Sequence, residues 1–117
     1  MTIAQYAYSL LGTLPASFPA DMTNARFVEL VYAHFGIQVD LSSDKPQDVA
    51  KNGTRLEKTM AEPDDIACLL SQDGLAETFG VYYGNGTYVF YNETTHQVET
   101  GRIAEALYDW FPLRVAR

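Results

Sequence analysis

Two β-prone runs joined by a tight turn dominate the second half of the chain. Residues 78–83 and 87–91 are rich in Val, Tyr, Phe and Thr, and the segment Gly84-Asn85-Gly86 separates them. This pattern predicts a β-hairpin, because Gly and Asn tolerate the positive φ angles of tight turns. The apolar run at residues 66–70 predicts a preceding strand buried on both faces, although a buried helical turn fits the same run. We therefore expect an antiparallel sheet.

Helical periodicity marks the first half of the chain. Residues 3–11 carry apolar side chains at helical spacing, and Gly12 follows as a stop signal. A second, longer helix is predicted to begin after Asp21 or Thr23, either of which can cap free backbone N–H groups, and to end at Gly36. Its predicted apolar stripe consists of Phe27, Leu30, Val31 and either His34 or Phe35.

The remaining segments are shorter. We predict a loop at residues 14–20, a short helix at 46–51, a strand at 95–99, a last helix at 102–110 and an extended tail at 113–117. The last helix is predicted because Ile103, Ala106, Leu107 and Trp110 would share one face. Helices followed by an antiparallel meander predict an α+β fold, with the N-terminal helices packed on a small antiparallel sheet in a single domain over residues 1–117.

The charge and cysteine content argue against several classes of partner. The 117 residues carry a formal net charge of −7, and the eight basic residues form no polybasic block. We therefore expect no nucleic acid partner and no membrane partner. One cysteine excludes an intramolecular disulfide framework and a zinc site built from several thiolates. The acidic residues Glu62, Asp64, Asp65 and Asp73 lack the spacing of a calcium loop and predict a solvated acidic surface, so no metal and no cofactor is expected.

Several short stretches, taken in order, resemble the NlpC-type cell-wall peptidases, which are papain-like cysteine hydrolases of peptidoglycan stem peptides. These stretches are residues 7–13 (AYSLLGT), 27–32 (FVELVY), 35–37 (FGI), 62–66 (EPDDI) and 79–86 (FGVYYGNG). They are similar to the opening helix of the family, to the body and the close of its long helix, to the start of its first central strand and to its Gly-rich hairpin. The resemblance covers nearly the whole chain and implies a papain-like NlpC-type fold.

The same resemblance identifies the positions at which the family carries its catalytic residues. Asn24 stands where the family has the cysteine nucleophile, Thr78 where it has the general-base histidine, and Phe90 where it has the polar residue that orients this histidine. An amide is no nucleophile, a hydroxyl takes no proton near neutral pH, and a phenyl ring orients nothing by hydrogen bonding. The resemblance therefore implies a catalytically inactive member, not an enzyme.

A relocated catalytic site is the alternative. The only cysteine, Cys68, lies in the apolar run at residues 66–70, and the two histidines are His34 and His96. A site that used Cys68 with one of these histidines would make the protein a cysteine hydrolase of peptidoglycan peptides. We expect instead that Cys68 is an inert core residue and that both histidines are structural.

Aromatic residues of the hairpin and the C-terminal segment are the candidate binding residues. They are Tyr82, Tyr83, Tyr88, Tyr91 and Trp110. Exposed aromatic side chains suit protein interfaces or sugar stacking, and an extended tail at residues 113–117 can add a strand to a neighbouring sheet. The alternative is that these rings lie in the core and that the tail packs on its own sheet.

The functional expectation is a non-catalytic structural or binding module. Short NlpC-type domains look like those encoded with phage tails, and the N terminus shows no charged region ahead of an apolar stretch that would form a signal peptide. We expect a component of a phage tail tip, a baseplate or a related contractile particle, assembled in the bacterial cytoplasm and then located in the virion tail. Its expected partners are other tail or baseplate proteins or copies of itself, with possible residual peptidoglycan contact. A soluble regulator that binds peptidoglycan fragments or a hydrolase is a further alternative.

Overall fold

Three helices and a six-stranded antiparallel sheet form the fold in the computed structural model, which describes residues 1–13 and 17–116. The helices are α1 (Ile3–Ser9), α2 (Asn24–Ala33) and α3 (Pro46–Val49). The strands are β1 (Thr54–Arg55), β2 (Ile66–Leu70), β3 (Ala76–Gly84), β4 (Thr87–Asn92), β5 (Gln97–Arg102) and β6 (Trp110–Arg114). The predicted α+β class, the strand at 66–70 and the hairpin are confirmed. The loop predicted at residues 14–20 lies partly outside the described residues.

The sheet has the strand order β1-β6-β2-β3-β4-β5. Strands β2 to β5 form a meander, and β6 returns to pair with β1 on one side and β2 on the other. Helices α1 and α2 pack on one face of this sheet, where the main core contains Ile3, Ala7, Phe27, Val31, Ile66, Val81, Val89, Phe111 and Leu113. Among the helices in residues 1–13 and 17–116, none combines the length and the hydropathy that a membrane span requires.

Helix α2 starts at the point where its sequence supplies a cap. The Oγ1 of Thr23 accepts the N–H of Arg26 at 3.1 Å, so Thr23 rather than Asp21 is the N-cap. The helix buries Phe27, Val28, Val31 and Tyr32, whereas Leu30 is 40% exposed. The predicted stripe was therefore wrong at Leu30.

The predicted last helix at residues 102–110 was wrong. Strand β5 continues to Arg102, a short 3-10 turn covers Ile103–Glu105, and β6 begins at Trp110. The apolar face that the helix would have formed is not buried as a unit, since Leu107 is 88% exposed. Pairing with β2 decides the structure here, because strand alternation turns Phe111 and Leu113 into the main core while Trp110 lies on the opposite face.

Strand β6 also accounts for the C-terminal tail. Leu113 pairs with Ile66 of β2 and is fully buried, and Val115 is 6% exposed. The tail from residue 113 to residue 115 therefore packs on its own molecule, and the expectation that it is a free strand for a neighbour was wrong; Arg117 lies outside the described residues. Pro112 fits inside the strand because its nitrogen and its carbonyl point to the same side of β6, toward Leu56. The N–H of Leu56 donates to the Pro112 carbonyl at 2.9 Å.

The acidic segment before β2 is less solvated than its sequence indicated. Asp65 is 1% exposed, and its two carboxylate oxygens accept the Nε and Nη2 of Arg114 at 2.9 Å each. This contact raises the pKa of Arg114, chiefly through the hydrogen bond to Asp65. Asp64 accepts the N–H of Ala4 at 2.7 Å. These two carboxylates fasten β2 to β6 and to α1, so the expectation of a solvated acidic surface was wrong for Asp65.

Candidate functional site

The three residues that stand where the NlpC-type peptidases carry their catalytic residues line one surface cavity. Asn24, Thr78 and Phe90 surround a cleft of about 370 Å³ between the N terminus of α2 and strands β3 and β4. The other lining residues are Glu77, Tyr91, Asn92, Glu93 and Thr94. The fold thus brings together three residues that lie up to 66 positions apart in the sequence.

Asn24 fastens the start of α2 to the sheet. Its side-chain Oδ1 accepts the N–H of Phe79 in β3 at 2.8 Å. Its Nδ2 donates to the Oε2 of Glu93 at 2.5 Å, and lies 3.5 Å from the carbonyl oxygen of Glu77. Both the oxygen and the nitrogen of the Asn24 amide therefore have hydrogen-bond partners. The residue at the position that resembles the family's nucleophile joins α2 to β3 and to Glu93.

Glu93 approaches the same helix terminus from the turn between β4 and β5. Its Oε2 also accepts the backbone N–H of Asn24 at 3.0 Å. The turn that carries Glu93 is fixed by Asn92, whose Oδ1 accepts the N–H groups of Thr94 and Thr95 at 2.9 and 3.3 Å. A carboxylate of this chain thus lies at the positive end of the helix dipole.

Thr78 and Phe90 bring no proton-transfer group to the cleft. Thr78 pairs with Leu69 of β2, and Phe90 pairs with Glu99 of β5. The Phe90 ring is half-buried, and its centroid lies 5.4 Å from that of Tyr88. This lining can supply hydrogen bonds and apolar contact to a ligand. The described residues also contain no group of three or more His, Cys, Asp or Glu side chains that could hold a metal ion.

Comparisons with known proteins settle the fold. No family model matches the sequence, and no curated protein matches it. Among solved structures, the NlpC/p60 domain of the peptidoglycan hydrolase SagA superposes with a TM-score of 0.73 at 19% identity, over 96% of this chain and 96% of that one. The chain has the NlpC/p60 fold.

Two further structures with the NlpC/p60 fold widen the comparison. NlpC1 from Trichomonas vaginalis matches with a TM-score of 0.73 at 20% identity, over 97% of this chain and 42% of that chain. RipD from Mycobacterium tuberculosis, a non-catalytic NlpC/p60 domain protein adapted to peptidoglycan binding, matches with a TM-score of 0.66 at 14% identity, over 99% of each chain. The fold therefore occurs in a peptidoglycan hydrolase and in a non-catalytic protein.

The single thiol of this chain, that of Cys68, is buried inside the sheet. Cys68 is in the middle of β2, between β3 and β6, and is 0% exposed. Desolvation by burial raises the pKa of its thiol to about 12. At neutral pH the nucleophilic thiolate is essentially absent, which agrees with the prediction of an inert core residue.

The two histidines occupy separate structural positions. The His34 ring stacks on Tyr6 with a centroid distance of 3.8 Å and an interplanar angle of 6°. His96 lies in the turn after β4 with φ 58°, and its Nδ1 is 3.4 Å from the hydroxyl oxygen of Tyr91. Neither histidine lines the cleft at Asn24.

Most of the predicted binding aromatics are buried. Tyr82, Tyr88, Tyr91 and Trp110 are between 2% and 9% exposed, whereas Tyr83 is 37% exposed. Burial of these four agrees with the alternative that the rings lie in the core or cover the sheet, because Tyr91 packs in the main core and the other three form a second cluster on the opposite face of the sheet.

Two glycines leave room for the Tyr88 ring on this second face of the sheet. A Cβ atom on Gly80 or Gly101 would lie 2.6 or 2.5 Å from the Tyr88 ring, so the ring lies flat over both residues. The Tyr82 and Trp110 rings stack nearby with centroids 6.0 Å apart. The alternative that these rings cover the sheet is the correct one.

Sequence reasoning missed the two glutamates of the cleft. Glu93 is 69 residues from its partner Asn24, and Glu77 lies in β3, one residue before the strand predicted at residues 78–83. No local motif marks either residue. The signal lies in the register of β3, β4 and β5, which the sequence alone did not define.

Proposed function

We propose that this protein is a non-catalytic module of the NlpC/p60 fold that works by binding. The observation that carries the proposal is Asn24, which stands at the N terminus of α2 in the cleft and uses both ends of its amide to join β3 and Glu93. An amide in this position has no nucleophilic electron pair to offer, and Thr78 beside it offers no base.

The relocated-site alternative requires Cys68 to react from inside the sheet. Its burial and its raised pKa deprive that thiol of both access and charge. His34 and His96 have aromatic partners of their own. These contacts favour the binding module over the hydrolase.

The ligand class that we propose is a peptidoglycan fragment. The support is the likeness to RipD, which is non-catalytic and adapted to peptidoglycan binding, together with a cleft of about 370 Å³ that retains polar and apolar lining. A binding site needs a concave surface with a few polar groups and does not need a reactive one.

Co-sedimentation with purified peptidoglycan tests this part of the proposal. We expect the wild-type protein to pellet with the polymer and Thr78→Arg to stay in solution, because the long side chain would fill the cleft. Thr54→Arg is the matched control, since Thr54 is exposed in β1 at the other edge of the sheet. Equal pelleting of both variants, or no pelleting of the wild type, would contradict peptidoglycan binding in the cleft.

The finer proposal is a structural role in a phage tail tip, baseplate or related contractile particle, through contacts with other tail proteins or with copies of the same chain. Its support is the resemblance to short NlpC-type domains encoded with tails. Mass spectrometry of purified particles tests it. We expect the protein in the particle at a fixed ratio to known tail proteins; its absence from particles, or neighbouring genes unrelated to tails, would contradict this role.

A further inference from the structure

A second cavity lies where β1 and the segment after it meet the start of β6. This β1–β6 cavity has a volume of about 600 Å³ and is lined by residues 55–59 and 109–111. It shares no lining residue with the cleft at Asn24. A ligand could therefore bind here without entering the cleft.

Arg55 brings a positioned cation to the β1–β6 cavity. The carbon of its guanidinium lies 4.1 Å from the centroid of the Phe111 ring, a cation–π contact that fixes the charged group. No residue in 1–13 or 17–116 accepts a hydrogen bond from this side chain or forms an ion pair with it. An arginine carries five N–H donors, so a fixed guanidinium without an acceptor is suited to bind an anion.

The other charges in the lining leave Arg55 without a partner. Asp109 Oδ1 accepts the backbone N–H of Trp110 at 2.9 Å and also contacts the Nζ of Lys58. The hydrogen bond from Lys58 is the main reason why the pKa of Asp109 is lowered, and the charge of Arg55 is a minor one. Lys58 and Asp109 thus neutralise each other. Glu57 is exposed and forms no ion pair within the described part of the chain.

Trp110 adds a second donor and an apolar wall to the same cavity. The indole N–H of Trp110 has no acceptor among the described residues. It keeps contact with solvent, because no buried side-chain nitrogen or oxygen of these residues lacks a hydrogen-bond partner. Stacking on Tyr82, with centroids 6.0 Å apart, holds the indole ring in place. The β1–β6 cavity therefore has two fixed donor groups for which the chain supplies no acceptor.

We propose that the β1–β6 cavity binds a small ligand that carries a carboxylate next to an apolar group. Arg55 holds the carboxylate, because its guanidinium fork matches the two oxygens with charge-assisted hydrogen bonds. Leu56 and Trp110 contact the apolar group. Apolar walls with a few fixed polar groups are typical of small-molecule sites. The site goes beyond the proposed function, which concerns the cleft at Asn24.

The fluorescence of Trp110 reports on this site directly, because it is the only tryptophan of the chain. We would titrate the full chain with N-acetylleucine near neutral pH at constant ionic strength, and then with its uncharged amide. A saturable change is expected with the acid, and at least about tenfold weaker binding with the amide. No saturable change with the acid, or equal affinity for the two compounds, would overturn the site.

Arg55→Gln should weaken the binding of N-acetylleucine at least about tenfold, because it removes the charged donor. Arg102→Gln is the matched control. It removes the same charge from an exposed arginine in β5, at the other edge of the sheet, and should bind like the wild type. An equal loss in both variants would show a general charge effect and overturn the site.

If Arg55→Gln does not fold, Arg55→Lys takes its place. It keeps the charge but loses the fork, so binding should weaken at least about threefold. An unchanged affinity would overturn the role of Arg55. Glu57→Gln removes a like charge from the lining and should strengthen binding or leave it unchanged. A loss as large as that of Arg55→Gln would overturn the assignment.

Thr78→Arg separates this site from the proposed function. Its side chain would fill the cleft at Asn24, and the response of Trp110 to N-acetylleucine should be unchanged. A lost response would mean that the ligand binds in the cleft and would overturn the β1–β6 site. Failure of peptidoglycan binding would refute the proposed ligand of the cleft and leave the carboxylate site standing.

Discussion

The cleft at the N terminus of α2 and the interior around Cys68 each meet one requirement of thiol chemistry. The cleft is open to solvent and lies at a helix N terminus, but Asn24, Thr78 and Phe90 line it. The interior holds a thiol that is fully buried and whose pKa burial raises to about 12. The cleft has access to solvent but no thiol, and the interior has a thiol but no access to solvent. The comparison teaches that access to solvent and possession of a thiol are separate properties of this fold, and here they lie in different regions.

The largest expected effect concerns the reactivity of Cys68. A thiol reagent should label native protein at least about a thousandfold more slowly than unfolded protein, because labelling must wait for the sheet to open. The rate should be measured by mass spectrometry with and without guanidinium. Fast labelling of the native protein would contradict the inert interior and favour a relocated site.

Moving the thiol from the interior to the cleft should reverse this protection. Asn24→Cys in a Cys68→Ala background should label in the native state at least about a hundredfold faster than the wild type, because the new thiol lines an open cleft and need not wait for the sheet to open. Cys68→Ala alone is the control and should not label. A protected thiol at position 24 would mean that the cleft is closed.

Restoring all three family residues tests how much of the cleft still suits catalysis. Asn24→Cys, Thr78→His and Phe90→His together should leave the fold intact and give weak hydrolysis at most, since a misplacement near 1 Å costs on the order of a hundredfold in rate. Phe90→His alone should lower the free energy of unfolding by roughly 1–3 kcal/mol, because its ring packs beside Tyr88. Denaturant melts measure this loss.

Robust hydrolysis by the triple variant would contradict the loss of catalytic geometry. A complete loss of folding in Phe90→His would mean that Phe90 belongs to the central core rather than to the lining of the cleft.

The smallest effect expected is a dependence of stability on alkaline pH. The pKa of Cys68 is raised from 9.0 to about 12, so the folded state holds the thiol neutral while the unfolded state ionises first. This contribution is complete below pH 9 and falls as pH rises toward 12; between pH 8.5 and 10.5 the loss should be about 2 kcal/mol. Cys68→Ala should lack this part of the loss. Parallel pH curves for both proteins would contradict the raised pKa.

The parts of the fold that were predictable depend on local signals. The turn at Gly84, Asn85 and Gly86 and the cap at Thr23 are set by residues close in sequence, and both occur as expected. The segment at residues 103–110 was misread because its apolar spacing fits a helix, whereas pairing of β6 with β2, about 45 residues away, decides its structure.

In the candidate site, too, some features were predictable from the sequence and others depend on tertiary contacts. The positions of Asn24, Thr78 and Phe90 follow from the family resemblance, and the structure places all three around one cavity. The contact of Asn24 with Glu93 depends on how the β4–β5 turn meets α2, a tertiary contact that no periodicity expresses. The burial of Tyr88 likewise depends on Gly80 and Gly101 in the neighbouring strands, which leave room for its ring.

Digestion of peptidoglycan stem peptides tests the central claim most directly. The purified wild-type protein would be incubated with these peptides and the products analysed by mass spectrometry, with an active NlpC/p60 domain as positive control and Cys68→Ser as companion. The account predicts no cleavage by either form, because the accessible cleft holds Asn24 and the thiol is buried. Cleavage abolished by Cys68→Ser would establish a relocated site, and cleavage that survives it would establish a chemistry that does not use this cysteine; either result would contradict the account.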